Sequence, residues 1–182
     1  MDESIIDFQR RNRIGVIEAI WGENKTIEQI SKILKKYQIA SETALVTRLT
    51  KEKGDKILIK FPSAKFYETS GCLTMGGFEG YTSLEEEVII LTGGTSDLGV
   101  ASEAEIALNL HGIRTKLLID VGVAGIHRLL ERLEEIKSAK VVIACAGMEG
   151  ALPTVLAGLI PQPIIGLPVS VGYGLSFGGK TA

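Results

Sequence analysis

A carboxylate set between glycines, Gly147-Met148-Glu149-Gly150, follows directly on the apolar run Val141-Val-Ile-Ala-Cys145. A charged side chain just past the end of a buried strand has no packing role, so Glu149 is the foremost candidate for proton transfer or substrate contact. Asp120 and the pair His127-Arg128 follow a second apolar run, Lys116 to Ile119. Two readings stand at His127, a titrating catalytic group or an ordinary packed or surface helix residue. Two also stand at Asp120, a site carboxylate or a helix cap. A third constellation, Thr92-Gly93-Gly94-Thr95-Ser96-Asp97, follows Val88 to Leu91. There, successive backbone N–H groups and the hydroxyls of Thr95 and Ser96 can surround a phosphate at a helix N-terminus. The same residues also make a glycine turn in which Ser96 or Asp97 is a plain N-cap. The string matches neither the dinucleotide fingerprint nor the Walker pattern. Asp97 suits a ribose hydroxyl or a metal ion better than a phosphate. A fourth cluster, Ser170, Gly172 and Tyr173 within the Gly/Ser-rich stretch after Pro168, fits close backbone approach to a ligand or a neighbouring subunit; a flexible tail is the competing reading, against which the aromatics Tyr173 and Phe177 count.

These residues share one kind of position. Each cluster lies where a short apolar run ends, and amphipathic segments separate the runs, as buried parallel strands joined by helices require. In such sheets ligands bind beyond the carboxyl ends of the strands. The pattern predicts strands at Val88 to Leu91, Lys116 to Asp120, Val141 to Cys145 and Pro163 to Pro168. It predicts helices over about Val100 to His111, closed by Gly112, and over Ala151 to Leu159, with Pro153 in the first turn. A further helix follows Asp120, with Ile126, Leu129, Leu130, Leu133 and Ile136 turned inward. Cys145, inside an apolar run, reads as an inert core thiol.

The first 80 or so residues form a smaller α/β unit. Gly15 to Ile20 reads as a strand, Thr26 as the cap of a helix carrying Ile27, Ile30, Ile33 and Leu34, and Thr43 to Thr47 as a second strand. Lys56 to Phe61 is ambiguous, and Ser63 to Thr74 contains a third strand. The basic run Arg10-Arg11-Asn12-Arg13 reads as a solvated face, with phosphate binding by arginines at a domain edge as the alternative, and Gly76 to Gly80 reads as a linker. The expected architecture is therefore α/β, with a small N-terminal α/β domain plus linker at 1–80 and a layered parallel-sheet domain at 81–182.

Composition narrows the function classes. With 182 residues and 45% hydrophobic content the chain can bury one ordinary core and a satellite. A net charge of −2, with no basic cluster interleaved with aromatics, argues against a nucleic-acid surface. The apolar runs are too short to span a bilayer and the acidic N-terminus does not suit a secretory signal, so the expected location is cytoplasmic, without a membrane partner. Two cysteines and two histidines exclude a disulfide framework and a Cys-rich zinc site.

Taken together, the strings Thr95-Ser96-Asp97, Asp120 to Leu129, Ala146 to Pro153 and Pro168 to Gly179 resemble the PurE-type carboxylases and mutases acting on aminoimidazole ribonucleotide. They are most similar to the LarB branch, the pyridinium-3,5-biscarboxylic acid mononucleotide synthases of nickel-pincer cofactor biosynthesis. Asp7, Arg10, Arg13, Gly15 and Lys25-Thr26 resemble that branch's N-terminal signature. The resemblance implies a three-layer PurE-like domain. It also implies carboxylation of the pyridine ring of nicotinic acid adenine dinucleotide by CO2 or bicarbonate, with phosphoanhydride hydrolysis releasing AMP.

By position, Thr95, Ser96 and Asp97 would meet phosphate or ribose. Asp120, His127 and Arg128 would line the same site. Gly147, Met148 and Glu149 would face the pyridine, with Glu149, His127 and Asp120 as the catalytic set, and Ser170, Gly172 and Tyr173 would close over it. No organic cofactor is expected; Mg2+ at the phosphoanhydride, with Asp97 and Asp120 as candidate ligands, stands beside plain capping as the reading of the two aspartates. A homo-oligomer is expected. The family pattern continues past Gly179 with a Ser-Cys element that supplies a nucleophilic cysteine, whereas this chain ends at Lys180-Thr181-Ala182. The expectation is thus a polypeptide that binds nucleotide better than it turns it over. Two rivals remain: a PurE-like mutase, although those enzymes resemble Gly-Gly-Ala-Ala-His where this chain has Gly-Met-Glu-Gly, and a catalytically silent nucleotide-binding or assembly fragment.

Overall fold

The computed structural model describes residues 4–77, 87–147 and 150–170. The chain divides into two compact units, Met1–Glu79 and Gly80–Ala182.

In the first unit the basic run forms a short helix, α1 (Arg10–Ile14), and Gly15 closes it in the left-handed conformation (φ 80°). That closure displaces the strand expected from Gly15. β1 begins only at Ala19 and spans Ala19–Trp21. Helix α2 (Ile27–Ala40) starts on a full capping box, with the Thr26 hydroxyl accepting from the Gln29 N–H and the Gln29 side chain accepting from the Thr26 N–H. β2 (Ala44–Thr47) is buried along its whole length, and the ambiguous segment after it is helical, α3 (Lys51–Lys60), capped by Thr50. The third expected strand is two, β3 (Lys65–Tyr67) and β4 (Cys72–Met75). The described sheet has the order β1-β2-β4-β3, with β1 and β2 parallel and the other pairings antiparallel. Its core is built on Ile30, Leu34, Val46, Ile57 and Leu73.

The second unit holds the parallel sheet. β5 (Val88–Thr92), β6 (Thr115–Leu118), β7 (Val141–Ala146) and β8 (Ile164–Pro168) lie in the order β6-β5-β7-β8, every neighbouring pair parallel. β5 is buried at all five residues, because helices cover both faces of a parallel sheet. One core cluster joins Ile89, Leu91, Leu129, Ile136, Leu152 and Leu156, and another joins Ile90, Ala101, Ile143 and Cys145. Alternate residues of β5 thus feed opposite layers.

Helix α4 (Leu98–Asn109) begins two residues earlier than the sequence pattern suggests, and α7 (Ala151–Ala157) ends sooner. The long helix expected after Asp120 is broken at Arg132 into α5 (Ile126–Glu131) and α6 (Leu133–Ile136). Only part of its apolar set turns inward. Leu129 and Ile136 are fully buried, whereas Ile126 and Leu130 are 39% and 47% exposed. Leu129, Leu133 and Ile136 are spaced i, i+4, i+7 and make one stripe, while Ile126 and Leu130 form a second stripe that the sheet does not reach.

Candidate functional site

Because the four strands of the second unit are parallel, their carboxyl ends share one rim, and backbone bonds stitch the loops leaving it. Gly93 N–H donates to the Cys145 carbonyl (2.9 Å), Val121 N–H to the Thr92 carbonyl (2.9 Å) and Val169 N–H to the Ala146 carbonyl (3.1 Å). Thr92, fully buried at the last position of β5, accepts a second bond on its Oγ1 from the Asp120 N–H at 2.9 Å. Asp120 sits in the left-handed region (φ 62°), which few side chains adopt. Its N–H and that of Val121 both end on Thr92, so β5 fixes the turn after β6. Contact is closer still at Gly122, where a Cβ would stand 2.3 Å from the Gly93 carbonyl oxygen. Only glycine fits.

Thr95–Asp97 forms a single 3-10 turn leading into α4. The Asp97 carboxylate is buried; its Oδ2 accepts the Gly94 N–H at 2.9 Å, and the Ser96 hydroxyl lies 3.5 Å from Oδ1. Asp97 therefore folds the turn from beneath. Thr95 and Ser96 stand exposed above it. As the opening residues of a helical turn, their N–H groups have no intrahelical acceptor.

Asp120 does not cap α5. Its carboxylate instead forms an ion pair with the Arg128 guanidinium. The floor beneath that guanidinium is Gly125, whose added Cβ would lie 2.6 Å from Arg128 Nε. His127 is exposed on α5, and among the described residues it makes no hydrogen bond or ion pair. Gly147 and Gly150 are joined by a hydrogen bond from the Gly150 N–H to the Gly147 carbonyl (3.1 Å), and Gly150 is left-handed (φ 65°). Ser170 is exposed just beyond β8. Met148, Glu149, Gly172 and Tyr173 lie outside the described residues.

The structure thus brings Thr95, Ser96, Asp97, Asp120, Gly147 and Ser170 to turns and loops that leave one edge of one sheet, with Arg128 reaching Asp120 from helix α5. Cys145 lies beneath them with no exposed surface, and burial, followed by the nearby negative charge of Asp97, pushes its thiol up to about 11. It is a core thiol, as the sequence suggests. Comparison with known proteins gives the lineage of this arrangement. Residues 1–77 match the LarB/PurE-like N-terminal domain and residues 87–176 match AIR carboxylase. The chain belongs to the LarB/PurE-like AIR carboxylase family.

Among its relatives in Methanocaldococcus jannaschii is the uncharacterized protein MJ0165, 36% identical over 177 residues that make up 93% of this chain and 69% of the relative. Another is an N5-carboxyaminoimidazole ribonucleotide mutase, 39% identical over 85 residues, or 45% of this chain and 52% of that enzyme.

Within this AIR carboxylase-type domain, the donor set for a metal is poor among the described residues. Asp97 is engaged with Gly94 and Ser96, Asp120 with Arg128, and no three His, Cys, Asp or Glu side chains cluster. No helix of the described residues is long and apolar enough to cross a membrane. Thr92 opens the third constellation, but nothing in the sequence marks its hold on Asp120, because a threonine closing an apolar run looks like the end of a strand. The one available signal was spacing, since the family string beginning at Asp120 carries Gly122 and Gly125 where the backbone must pass Gly93 and seat Arg128.

Proposed function

We propose that the second unit binds nicotinic acid adenine dinucleotide at the rim of β5, β6, β7 and β8, and that it serves pyridine-ring carboxylation with release of AMP. The observation that carries this reading is the exposed Thr95-Ser96 turn on the same sheet edge as the Asp120–Arg128 pair. The turn offers hydroxyls and N–H groups to a phosphate, and Arg128 offers a guanidinium fixed in direction by Asp120. Removing a phosphoanhydride's AMP requires its oxygens to be held and neutralised, and these groups do both.

On this reading His127, exposed and without a side-chain partner among the described residues, hands a proton to the leaving phosphate. Glu149 balances the cationic pyridinium ring and takes the proton that the new carboxyl group displaces. Neither cysteine suits the nucleophile that adds to the ring: Cys145 is buried with its thiol held at about 11, and Cys72 is buried in the first unit. The expected partners are the dinucleotide and CO2 or bicarbonate, and a homo-oligomer for which exposed Ile126, Leu130 and Ile165 offer apolar surface. If Mg2+ takes part, Asp97 and Asp120 are its candidate ligands, each with a carboxylate oxygen already engaged.

A second reading is favoured by the mutase similarity, namely transfer of a carboxyl group on an aminoimidazole ribonucleotide. Incubation with nicotinic acid adenine dinucleotide and bicarbonate, and separately with carboxyaminoimidazole ribonucleotide, tests both. AMP and a dicarboxylated mononucleotide are expected. Turnover of the ribonucleotide alone would select the second reading, and saturable dinucleotide binding without product would leave a binding role only.

A further inference from the structure

The first unit carries an aromatic and cationic cluster that the reaction proposed for the second unit does not use. Trp21, the sole tryptophan of the chain, closes β1 and is 50% exposed. Arg48 follows the end of β2, the parallel neighbour of β1, so the two residues stand on one rim of that sheet. The Arg48 guanidinium lies 4.6 Å from the centre of the indole ring. Its backbone is left-handed (φ 56°), a conformation side chains rarely adopt, and an outlier of this kind is a reason to look for a role.

Arg48 forms no ion pair with a carboxylate among the described residues, so its N–H fork is open to an anion. Two ammonium groups tie down the loop after Trp21. Lys25 Nζ donates to the Trp21 carbonyl at 3.0 Å, and Lys53 Nζ donates to the carbonyls of Gly22 (3.1 Å) and Glu23 (2.6 Å). Gly22 itself is pinned, its N–H donating to the Thr47 carbonyl at 2.9 Å, with no room for a Cβ beside that oxygen (2.8 Å). Arg48 therefore stands over a half-open indole, and the loop that follows the indole's own residue carries two ammonium groups, Lys25 and Lys53, on its backbone carbonyls, with Glu23 its carboxylate. Both α2 and α3 also begin from this rim, with their positive ends toward it.

A large flat π surface beside an uncommitted guanidinium calls for a ligand that is planar at one end and anionic at the other. We propose that Trp21 and Arg48, with Lys25 and Lys53, form a separate binding site for a purine mononucleotide. The base stacks on the open part of the indole and the phosphate meets Arg48. A bicyclic base matches the indole in area better than a pyrimidine, and the phosphate supplies the negative charge that Arg48, and the cationic loop beside it, favour.

The sole tryptophan is its own reporter. Titration of the full chain with AMP, followed by Trp21 fluorescence and by calorimetry, should give saturable quenching with a Kd of about 1 mM or tighter. Adenosine and ribose 5-phosphate should each bind at least about tenfold more weakly. Arg48→Gln should weaken AMP about tenfold by fluorescence, and Trp21→Ala about tenfold by calorimetry, each with an unchanged circular dichroism spectrum. The second unit is separated by Arg128→Ala, which should leave the Trp21 response intact. Unsaturable quenching, Arg48→Gln and Trp21→Ala chains that bind AMP as the parent does, or inorganic phosphate displacing AMP at equal concentration would overturn the site. Loss of the response in Arg128→Ala but not in Arg48→Gln would also overturn it, while leaving the reading of the second unit untouched.

Discussion

Thr92 holds Asp120 from below. The Thr92 Oγ1 accepts the Asp120 N–H at 2.9 Å, and the Thr92 carbonyl accepts the next N–H along, that of Val121, at the same distance. One buried residue at the end of β5 thus sets the backbone that aims the Asp120 carboxylate at Arg128. The loops after β5 and β6 behave as a single piece.

Thr92→Val keeps the volume and removes the acceptor. The Asp120 N–H then loses its partner, which costs about 1–3 kcal/mol. The expected result is a lower urea midpoint for the second unit with an unchanged m-value, together with weaker dinucleotide binding because Asp120 no longer fixes Arg128. An unchanged midpoint would show that the turn holds without the threonine.

Gly122→Ala and Gly150→Ala separate crowding from backbone strain. At Gly122 the added Cβ meets a carbonyl oxygen at 2.3 Å and cannot be accommodated without moving the loop after β5. At Gly150 the space is open, and only the left-handed φ of 65° resists, at about 1–2 kcal/mol. Thermal or urea unfolding should rank Gly122→Ala as the more damaging, and ligand binding should be lost only there.

Gly125→Ala is expected to act differently from either. Its Cβ would press on the Arg128 guanidinium, the movable end of a flexible side chain, at 2.6 Å. The side chain can swing away, so stability should change by less than about 1 kcal/mol. Affinity for the dinucleotide should nevertheless fall about tenfold, as it should in Arg128→Ala, because the directed charge is gone. Full-strength binding by both variants would remove Arg128 from the site.

The raised thiol of Cys145 gives a signed dependence on pH. In the unfolded chain the thiol ionises near 9 and in the folded chain near 11, so above 9 the unfolded state loses protons first. The contribution is present in full below about 9 and is lost as pH rises toward 11, with a magnitude on the order of 2 kcal/mol. Cys145→Ala should flatten that part of the stability curve. Iodoacetamide at pH 8 should leave native Cys145 unmodified and label it on unfolding; rapid native labelling would mean that the thiol is exposed.

By itself the sequence determined what depends on local pattern and chain direction. Short apolar runs separated by amphipathic segments imposed a parallel sheet, and parallel strands necessarily put the residues following Thr92, Leu118, Ala146 and Pro168 on one edge. Thr26 followed by Gln29 announced a helix start, and the strings around Asp97, Asp120 and Gly147 carried the family resemblance. Tertiary structure decided which partner each polar group takes. Asp120 has equal local claims as a helix cap or as a site carboxylate, and its neighbour across the sheet, Thr92, settles the backbone that turns it to Arg128. Asp97 serves the turn it stands in because burial forces its oxygens onto the nearest N–H and hydroxyl. Ile126 and Leu130 fit the helical period but stay exposed, since periodicity marks apolar stripes without saying how wide a face the sheet can cover. The Trp21–Arg48 stack depends on two strands lying side by side, a contact between residues far apart in the chain that no local pattern encodes.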